Sequence, residues 1–198
     1  MDQIFTMDVE QDINAALNFA RLLAKHKIRG EFYITGEMLE KYSKQVKQIS
    51  KSHIICGHGY HHEDFTKLSY YEAESTILKT IVLFKNHKLK LHGWRFPGFN
   101  FKNSQLKLLV KYRLFDSSIR DKAYVKWNKF MHIRNFLSNL KRYKLILPIR
   151  FPKNLDERPW NVVDLNDPLL YMKRGRLVFH CYYYRKIKKK FEAYLNEI

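Results

Sequence analysis

Four of the chain's nine histidines lie within ten residues, in the stretch SHIICGHGYHHEDFTKLS. His58 and His62 are separated by three residues, which places two imidazoles within reach of one metal ion on a helical turn or in a tight loop. The segment is not an HExxH protease helix, because Gly59 stands where the glutamate belongs and disfavours a helix. His53 and His61 are predicted to be bystanders. The pair indicates a metal site, with a pH-sensitive loop or an accidental cluster as alternatives.

Two carboxylates lie at the end of the first predicted strand. Asp8 and Glu10 are two residues apart, and strand alternation puts such residues on the same face. Both can therefore point into one cavity, although solvated charges at a strand end are the simpler alternative. With His58 and His62, a carboxylate completes a facial set of two histidines and one acid, with positions left open for water. Such a set suits Zn²⁺ or a harder divalent metal.

Three further groups are candidates for chemistry. Arg95, in GWRFPGF, is interpreted as orienting a carboxylate and depressing its pKa, against the alternative of an ordinary surface charge. Pro97-Gly98 sets a turn whose backbone N–H groups can face a developing oxyanion. His180 ends the mostly apolar segment RLVFH, and a core histidine with a satisfied hydrogen bond is the alternative there.

The elements that position these residues alternate between strands and helices. The predicted strands are QIFTMDV, GEFYIT, HIICGHG, HGWRF, LFDSSI, KLILPIRF and RLVFHCY. Helices are predicted over 12–28, about 36–47, from a capping box at Ser69–Glu72 onward, over 104–112, and over 184–198. About seven strands alternating with helices predict an α/β fold with a mainly parallel sheet, in a single domain over 1–198.

Chemistry in such folds gathers at the C-terminal ends of the strands. All the unusual residues of this chain fall at those ends, and they are Asp8, Glu10, His58, Arg95, Asp116 and His180. This coincidence is stronger evidence than any single motif.

Composition sets wider limits. The net charge of +18 fits nucleic acid, an anionic membrane surface, an acidic sugar or a lysine-rich proteome, and the scattered lysines do not decide among them. The two cysteines, Cys56 and Cys181, do not make a disulfide framework. No apolar run reaches the ~18–20 residues of a membrane span. The acidic start MDQIFTMDVEQD is unlike a signal peptide, so we expect a cytoplasmic protein.

A family resemblance covers most of the chain. FTMDVE, GEFYITGEM, GHGYHHEDFTKLS, WRFPGF, FDSS and RLVFH resemble, in order and approximate spacing, the motifs of the polysaccharide deacetylases, the family 4 carbohydrate esterases. The resemblance extends from about Phe5 to His180. It implies a distorted (β/α) barrel with about seven strands, and metal-dependent removal of an N-acyl group from an amino sugar.

The resemblance also implies catalytic roles. Asp8 is similar to the catalytic base, Arg95 to the residue that tethers that base, and His180 to the general acid. The acid partner expected to orient His180 has no clear match, and Asp164 and Asp167 are its candidates.

The same resemblance implies the metal ligands and the oxyanion site. His58 and His62 resemble the histidine ligands of one divalent ion, with Zn²⁺ favoured. Many members have two adjacent aspartates in the first motif, whereas this chain has Asp-Val-Glu, which makes Glu10 the expected third ligand. Asp12 is a weaker candidate because it suits the N-cap of the first helix. The triplet Pro97-Gly98-Phe99 resembles a Pro-Gly-Phe subgroup and is expected to contact the acyl oxygen.

Together these observations predict a metal-dependent hydrolase that removes an N-acetyl or N-formyl group from an amino sugar, a polysaccharide or a glycolipid precursor. A lipid-phosphate-linked sugar and peripheral association with an anionic membrane fit the basic surface, and no nucleic acid partner is expected. The alternative is a non-catalytic barrel that binds polyanions or carbohydrate and keeps a vestigial site. The complete set of candidate residues favours the enzyme.

Overall fold

A parallel sheet forms the centre of the fold. The computed structural model describes residues 4–118, 161–162 and 176–197. The strands in these ranges are β1 (Ile4–Val9), β2 (Glu31–Ile34), β3 (Ile54–Gly57), β4 (Gly93–Trp94), β5 (Phe115–Asp116), β6 (Asn161–Val162) and β7 (Arg176–His180). Their order is β5-β4-β3-β2-β1-β7-β6, and every neighbouring pair is parallel. The sheet curls into an open, distorted barrel, which confirms the predicted fold class.

Helices follow most of these strands. They are α1 (Ile13–Lys25), α2 (Gly36–Lys41), α3 (Ser43–Ser50), α4 (Tyr70–Asn86), α5 (Leu106–Lys111) and α6 (Cys181–Glu197), with 3-10 turns at Pro97–Phe99 and Asn103–Gln105. The single helix predicted over about 36–47 is wrong, because the backbone leaves helical geometry at Tyr42 (φ −130°, ψ 39°). The short strand β6 was not predicted, and the predicted strand KLILPIRF lies outside the described residues. Of the helices in the described ranges, none combines the length and apolar character needed to cross a membrane.

The alternation of β1 separates the core from the site. Phe5, Met7 and Val9 belong to the main hydrophobic core, between the sheet and its helices. Because side chains alternate across a strand, Thr6 and Asp8 face the opposite side, inside the curled sheet. Both are fully buried there. One face of β1 therefore packs in the core, and the other face carries polar side chains.

Aromatic packing fixes α1 and α6 against the sheet. The rings of Phe5 and Phe191 have centroids 5.3 Å apart, and those of Phe19 and Phe191 are 5.4 Å apart. A second cluster, which includes Phe65 and Trp94, packs beside α4 and α5. Such aromatic pairs stabilise a fold by about 0.5–1.5 kcal/mol each beyond the area they bury. The strand ends are therefore held by a rigid support.

Two predicted helix starts have the expected hydrogen bonds. Asp12 caps α1, because its Oδ1 accepts a hydrogen bond from the N–H of Ala15 at 3.1 Å. Ser69 and Glu72 form the capping box of α4: the N–H of Glu72 donates to Ser69 Oγ at 3.2 Å, and the N–H of Ser69 donates to Glu72 Oε2 at 2.7 Å. These caps satisfy N–H groups that have no partner inside the helix.

Candidate active site

The predicted side chains meet at the C-terminal edge of the sheet. Asp8 on β1 lies in register with His180 on β7. Glu10 follows the end of β1, His58 directly follows β3, and Arg95 directly follows β4. Neighbouring parallel strands end at the same edge, so four separate stretches of sequence contribute to one site.

An ion pair anchors the floor of the site. The Arg95 guanidinium donates from Nη1 to Asp8 Oδ1 at 2.5 Å, and from Nη2 to Thr6 Oγ1 at 3.1 Å and Ser117 Oγ at 2.9 Å. Its Nε donates to the Ser117 carbonyl at 3.0 Å, and its Cζ lies 3.7 Å from the centre of the Tyr33 ring. Arg95 is completely buried, which excludes the alternative of a surface charge.

The two oxygens of Asp8 have different surroundings. Oδ1 accepts from Arg95, whereas Oδ2 lies 3.8 Å from Nε2 of His58 and 3.6 Å from Nε2 of His180. Burial alone raises the pKa of this carboxyl, but the charges of Arg95, His58 and His180 and the Arg95 hydrogen bond hold the pKa below its ordinary value. Asp8 is therefore ionised, with one oxygen fixed and the other directed into the site.

A second group of side chains lies beside Asp8. Glu10, His58 and His62 each offer a ligand atom, and these atoms lie within 4.8 Å of one another. Nε2 of His58 is 3.8 Å from Oε2 of Glu10, which also contacts Nε2 of His62. Nδ1 of His58 donates to the Arg95 carbonyl at 2.9 Å, so Nε2 is the nitrogen that faces the group. Burial lowers the pKa of His58, which favours the neutral imidazole that metals bind.

This triad fits a divalent metal. Within the described part of the chain, the buried Oε2 of Glu10 accepts no hydrogen bond of regular geometry, although Nε2 of His62 is in contact with it. A buried carboxylate oxygen without a regular partner, facing two imidazole nitrogens, is the arrangement a shared cation satisfies. Burial alone raises the pKa of Glu10, but the His62 contact and the charges of His58 and His62 together hold that pKa below its usual value. The donors match the predicted two-histidine, one-carboxylate set, and Asp12 caps α1 instead.

A strained loop places His62 beside Glu10 and His58. Gly59 has φ 75° and His62 has φ 62°, and a non-glycine residue rarely adopts such a value. A Cβ at Gly59 would lie 2.6 Å from Oε2 of Glu63. The Glu63 carboxylate accepts from the N–H groups of Tyr60 at 2.9 Å and His61 at 3.0 Å. Sequence reasoning missed this role of Glu63, because nothing in the pattern shows that an acid one position beyond the histidine motif folds back over it.

The beginning of α2 holds the same loop from the other side. The N–H of Gly36 donates to the Gly59 carbonyl at 3.1 Å, and the N–H of Glu37 donates to the Tyr60 carbonyl at 3.0 Å. These N–H groups belong to the first turn of a helix, where no intrahelical acceptor exists. These two hydrogen bonds from α2 therefore hold the loop in its conformation.

The other two histidines of the cluster lie outside the triad, as predicted. His53 is buried, accepts from the N–H of Gly30 at Nδ1 (3.1 Å) and donates from Nε2 to the Ala20 carbonyl (2.9 Å). His61 is exposed and pairs with Glu37 at 2.6 Å. His53 ties α1 to two strands, and His61 belongs to the surface.

The turn Pro97–Phe99 supplies fewer donors than predicted. Pro97 has no N–H, and the N–H of Phe99 donates to the Phe96 carbonyl at 2.9 Å inside the turn. Gly98, with φ 57°, is left as the candidate donor of the triplet. The predicted contact of the triplet with an oxyanion stays a prediction.

His180 lies at the open side of the site. Its side chain is 32% exposed, and Nε2 is 3.6 Å from Oδ2 of Asp8, so the alternative of a core histidine does not hold. Asp116, the remaining unusual strand-end residue, is fully buried at the end of β5. The candidate partners Asp164 and Asp167 lie outside the described residues, and the acid that orients His180 stays a prediction.

Comparison with known proteins gives one family. Residues 7–114 match the family described as "Polysaccharide deacetylase". The chain is 24% identical over 169 residues to a peptidoglycan deacetylase of Helicobacter pylori, which covers 78% of this chain and 56% of the relative. It thus spans little more than half the length of that relative.

Solved structures share the fold. A family 4 carbohydrate esterase from Bacillus anthracis superposes with a TM-score of 0.66, with 15% identity over 99% of this chain and 76% of that one. A protein described as a CE4 family pseudoenzyme from the same organism has a TM-score of 0.65 and 14% identity, over 98% of this chain and 60% of that one. At these identities the likeness shows the fold alone.

Proposed function

The chain belongs to the polysaccharide deacetylase family, and on that premise we propose that it hydrolyses the N-acetyl group of an amino sugar in a polysaccharide, with a divalent metal as cofactor. The observation that carries the proposal is the position of Asp8. One carboxylate oxygen is fixed by Arg95, and the other faces both the metal-binding triad and His180. The similar protein of Helicobacter pylori is named a peptidoglycan deacetylase, which supports a polysaccharide of that class as substrate.

The proposed metal site consists of Glu10, His58 and His62. A divalent metal held there would supply Lewis acidity, which would lower the pKa of water so that it loses a proton more readily, and would polarise the acyl oxygen. The fixed tautomer of His58, whose Nδ1 donates to the Arg95 carbonyl, keeps its Nε2 available as a ligand.

The chain's own groups handle the protons. Oδ2 of the ionised Asp8 accepts a proton from the attacking water while the oxygen of that water bonds to the acyl carbon. The N–H of Gly98 is the donor offered to the developing oxyanion. As the carbon–nitrogen bond breaks, His180 donates a proton from Nε2 to the nitrogen, so the products are an amine and acetate.

A binding protein is the second candidate, because one of the similar structures is described as a pseudoenzyme. In that case the barrel would hold carbohydrate or a polyanion without hydrolysing it. The intact set of base, tether, triad and acid supports the enzyme, since sugar binding alone does not need a buried, ionised aspartate beside an imidazole.

An acetate-release assay decides between the two. The assay uses N-acetylglucosamine oligomers and peptidoglycan fragments, with protein that has been treated with chelator and then given Zn²⁺. We expect Asp8→Asn to lower turnover by roughly 10²–10⁴-fold while metal content is unchanged. Glu74→Gln is the matched acid-to-amide control and should stay close to the unmodified protein, because Glu74 pairs with Lys111 at the surface and contributes nothing to the proposed site. Undiminished release by folded Asp8→Asn would refute the mechanism, and sugar binding without any release would support the binding protein.

The finer predictions rest on composition and are proposals of the same kind. The net charge of +18 supports an anionic partner, such as a lipid-phosphate-linked sugar or an anionic membrane surface. Salt-dependent binding to anionic but not to neutral vesicles is the measurement that tests the membrane association. A cytoplasmic location also stays a prediction.

A further inference from the structure

Two tyrosines stand next to His180 at the mouth of the candidate site. Tyr182 and Tyr183 lie in the first turn of α6, which begins directly after β7. Their ring centroids are 3.9 Å apart, and the Tyr182 ring is 5.7 Å from that of His180. Tyr182 is 44% exposed. An aromatic face is therefore offered to solvent beside the residue proposed to protonate the leaving amine.

The turn that carries these rings is firmly attached to the site. Cys181 Sγ donates to the Asp8 carbonyl at 3.3 Å, and Arg185 forms an ion pair with Asp12 at 2.5 Å. Tyr184 is buried, and its ring centroid lies 5.1 Å from that of Phe19. With its other face packed in this way, α6 holds Tyr182 at a fixed place relative to Asp8.

Contact between the two rings also fixes the orientation of Tyr182. Partial burial and a hydrogen bond with Tyr183 raise the pKa of Tyr182 to about 12, so its phenol is neutral at physiological pH. Lys186 lies one helical turn further on, with Nζ 5.9 Å from the centre of the Tyr183 ring. A single exposed tyrosine is ordinary on a protein surface. Tyr182 differs from such a residue because its ring lies beside that of His180, the proposed acid.

We propose that Tyr182 is a stacking platform for a sugar ring adjacent to the one that is deacetylated, so that the substrate is a glycan of at least two sugars. This inference rests on the proposed function. A pyranose has an apolar C–H face and a polar rim, and aromatic side chains that are flat, rigid and partly wet suit such a ligand. Because the Tyr182 ring adjoins His180, a sugar stacked on it lies beside the bond that is cut.

The test compares two substrates and two pairs of tyrosines. The probes are the monomer and the tetramer of N-acetylglucosamine, and the variants are Tyr182→Ala and Tyr182→Phe. Tyr71→Ala is the matched control, because Tyr70 and Tyr71 are also consecutive tyrosines in the first turn of a helix, with ring centroids 6.1 Å apart and Tyr71 81% exposed. Their helix is α4, not the helix that follows His180.

We expect Tyr182→Ala to raise KM for the tetramer by roughly 3–10-fold with little change in kcat, and to leave the monomer unaffected. Tyr182→Phe should retain tetramer binding because it keeps the ring, and Tyr71→Ala should behave like the unmodified protein. Titration calorimetry of the chelator-treated proteins with the tetramer measures the same loss without turnover.

The calorimetric measurement separates this inference from the proposed function. Tetramer binding that depends on Tyr182, with no acetate release by the same protein loaded with Zn²⁺, would support the platform and overturn the enzyme. Acetate release with equal KM for the tetramer in the unmodified protein and Tyr182→Ala would overturn the platform alone. Failure of the tetramer to bind the unmodified protein would overturn the platform. A Tyr182→Ala variant that binds the tetramer normally but changes its oligomeric state would also overturn it, because Tyr182 would then be a contact between copies of the chain.

Discussion

Replacement of Arg95 by methionine tests the buried ion pair on which the site depends. Arg95 and Asp8 are 0% and 1% exposed. Methionine keeps an unbranched side chain over the Tyr33 ring but removes the charge and the hydrogen bonds, so Asp8 is left as a buried, uncompensated carboxylate. Removal of one partner of such a pair costs about 3–5 kcal/mol. That is a large part of the ~5–15 kcal/mol by which domains are stable.

The sign of the pH dependence distinguishes this cause from simple loss of packing. In the unmodified protein the pKa of Asp8 is lowered, so its contribution to stability is present above the unfolded pKa and is lost as pH falls through the folded pKa. Without Arg95, burial dominates and raises that pKa. The variant then loses stability as pH rises toward the new folded pKa. We therefore expect the gap in unfolding free energy between the two proteins to be wider at pH 7 than at pH 4.5.

Urea unfolding of four proteins measures the effect. Chelator is present throughout, so that metal binding does not contribute to the free energy of unfolding. The proteins are the unmodified chain, Arg95→Met, Asp8→Asn and the double variant. Because Asn carries no charge, the double variant should recover about 2 kcal/mol relative to the sum of the single changes. Lys111→Met is the control, since Lys111 and Glu74 form an exposed pair, and we expect little change there.

Additive effects of Arg95→Met and Asp8→Asn, within about 0.5 kcal/mol, would refute the argument. So would a gap that does not change with pH. In either case Arg95 would matter for its volume, and the ionised state of Asp8 would need another cause.

Three further predictions concern histidines. His62→Ala and His58→Ala should each weaken Zn²⁺ binding by about tenfold or more, measured by competition with a chromogenic chelator, and unchanged affinity in both would place the metal elsewhere. His180→Ala should slow hydrolysis of an N-acetyl sugar by roughly 10²–10⁴-fold. A matched acetyl ester should lose less, because an alkoxide leaves more readily than an amide anion. Equal losses of both activities that follow a lower melting temperature would remove His180 from the mechanism. Burial lowers the pKa of His53, so the stability it contributes is present above pH ~6.5 and is lost as pH falls toward the folded pKa. His53→Gln should flatten the loss of unfolding free energy between pH 7.5 and 5.5, and an unchanged slope would contradict this.

The site was predictable because strand ends carry a strong constraint. Asp8, His58, Arg95 and His180 each follow an apolar run that reads as a strand, and parallel strands must bring those ends to one edge. The caps were predictable for a similar reason, since the residues around Ser69 and Asp12 specify their own hydrogen bonds locally. Short-range chemistry and the periodicity of the strands together determine much of this fold.

The break at Tyr42 was hidden from the pattern. Met38, Leu39, Val46 and Ile49 are the apolar residues of α2 and α3 that are buried. A single continuous helix would also place these four on one face, because residues separated by 7 or 11 positions lie on the same side of a helix with 3.6 residues per turn. The break therefore changes no hydrophobic position, and periodicity alone cannot reveal it.

Tertiary contacts explain the other omissions. Glu63 matters because its carboxylate folds back onto Tyr60 and His61, and Gly98 is distinguished from Phe99 by a hydrogen bond inside its turn. The exposure of Tyr182 depends on which face of α6 packs against α1. None of these properties is encoded in the spacing of residue types along the chain.

The register of β1 beside β7 has a consequence for the order in which the protein becomes active. Thr6 Oγ1 donates to the Leu177 carbonyl across 171 residues of sequence, and Asp8 and His180 are partners in the same ladder. At about 5–20 residues per second, a ribosome that has just made the histidine motif needs on the order of ten seconds more to reach β7. During that interval the nascent chain already contains all three proposed metal ligands but lacks the acid, and one edge of β1 has no neighbour. We expect metal capture to precede catalytic competence, and the waiting edge of β1 to be the part of the chain that most needs protection from aggregation.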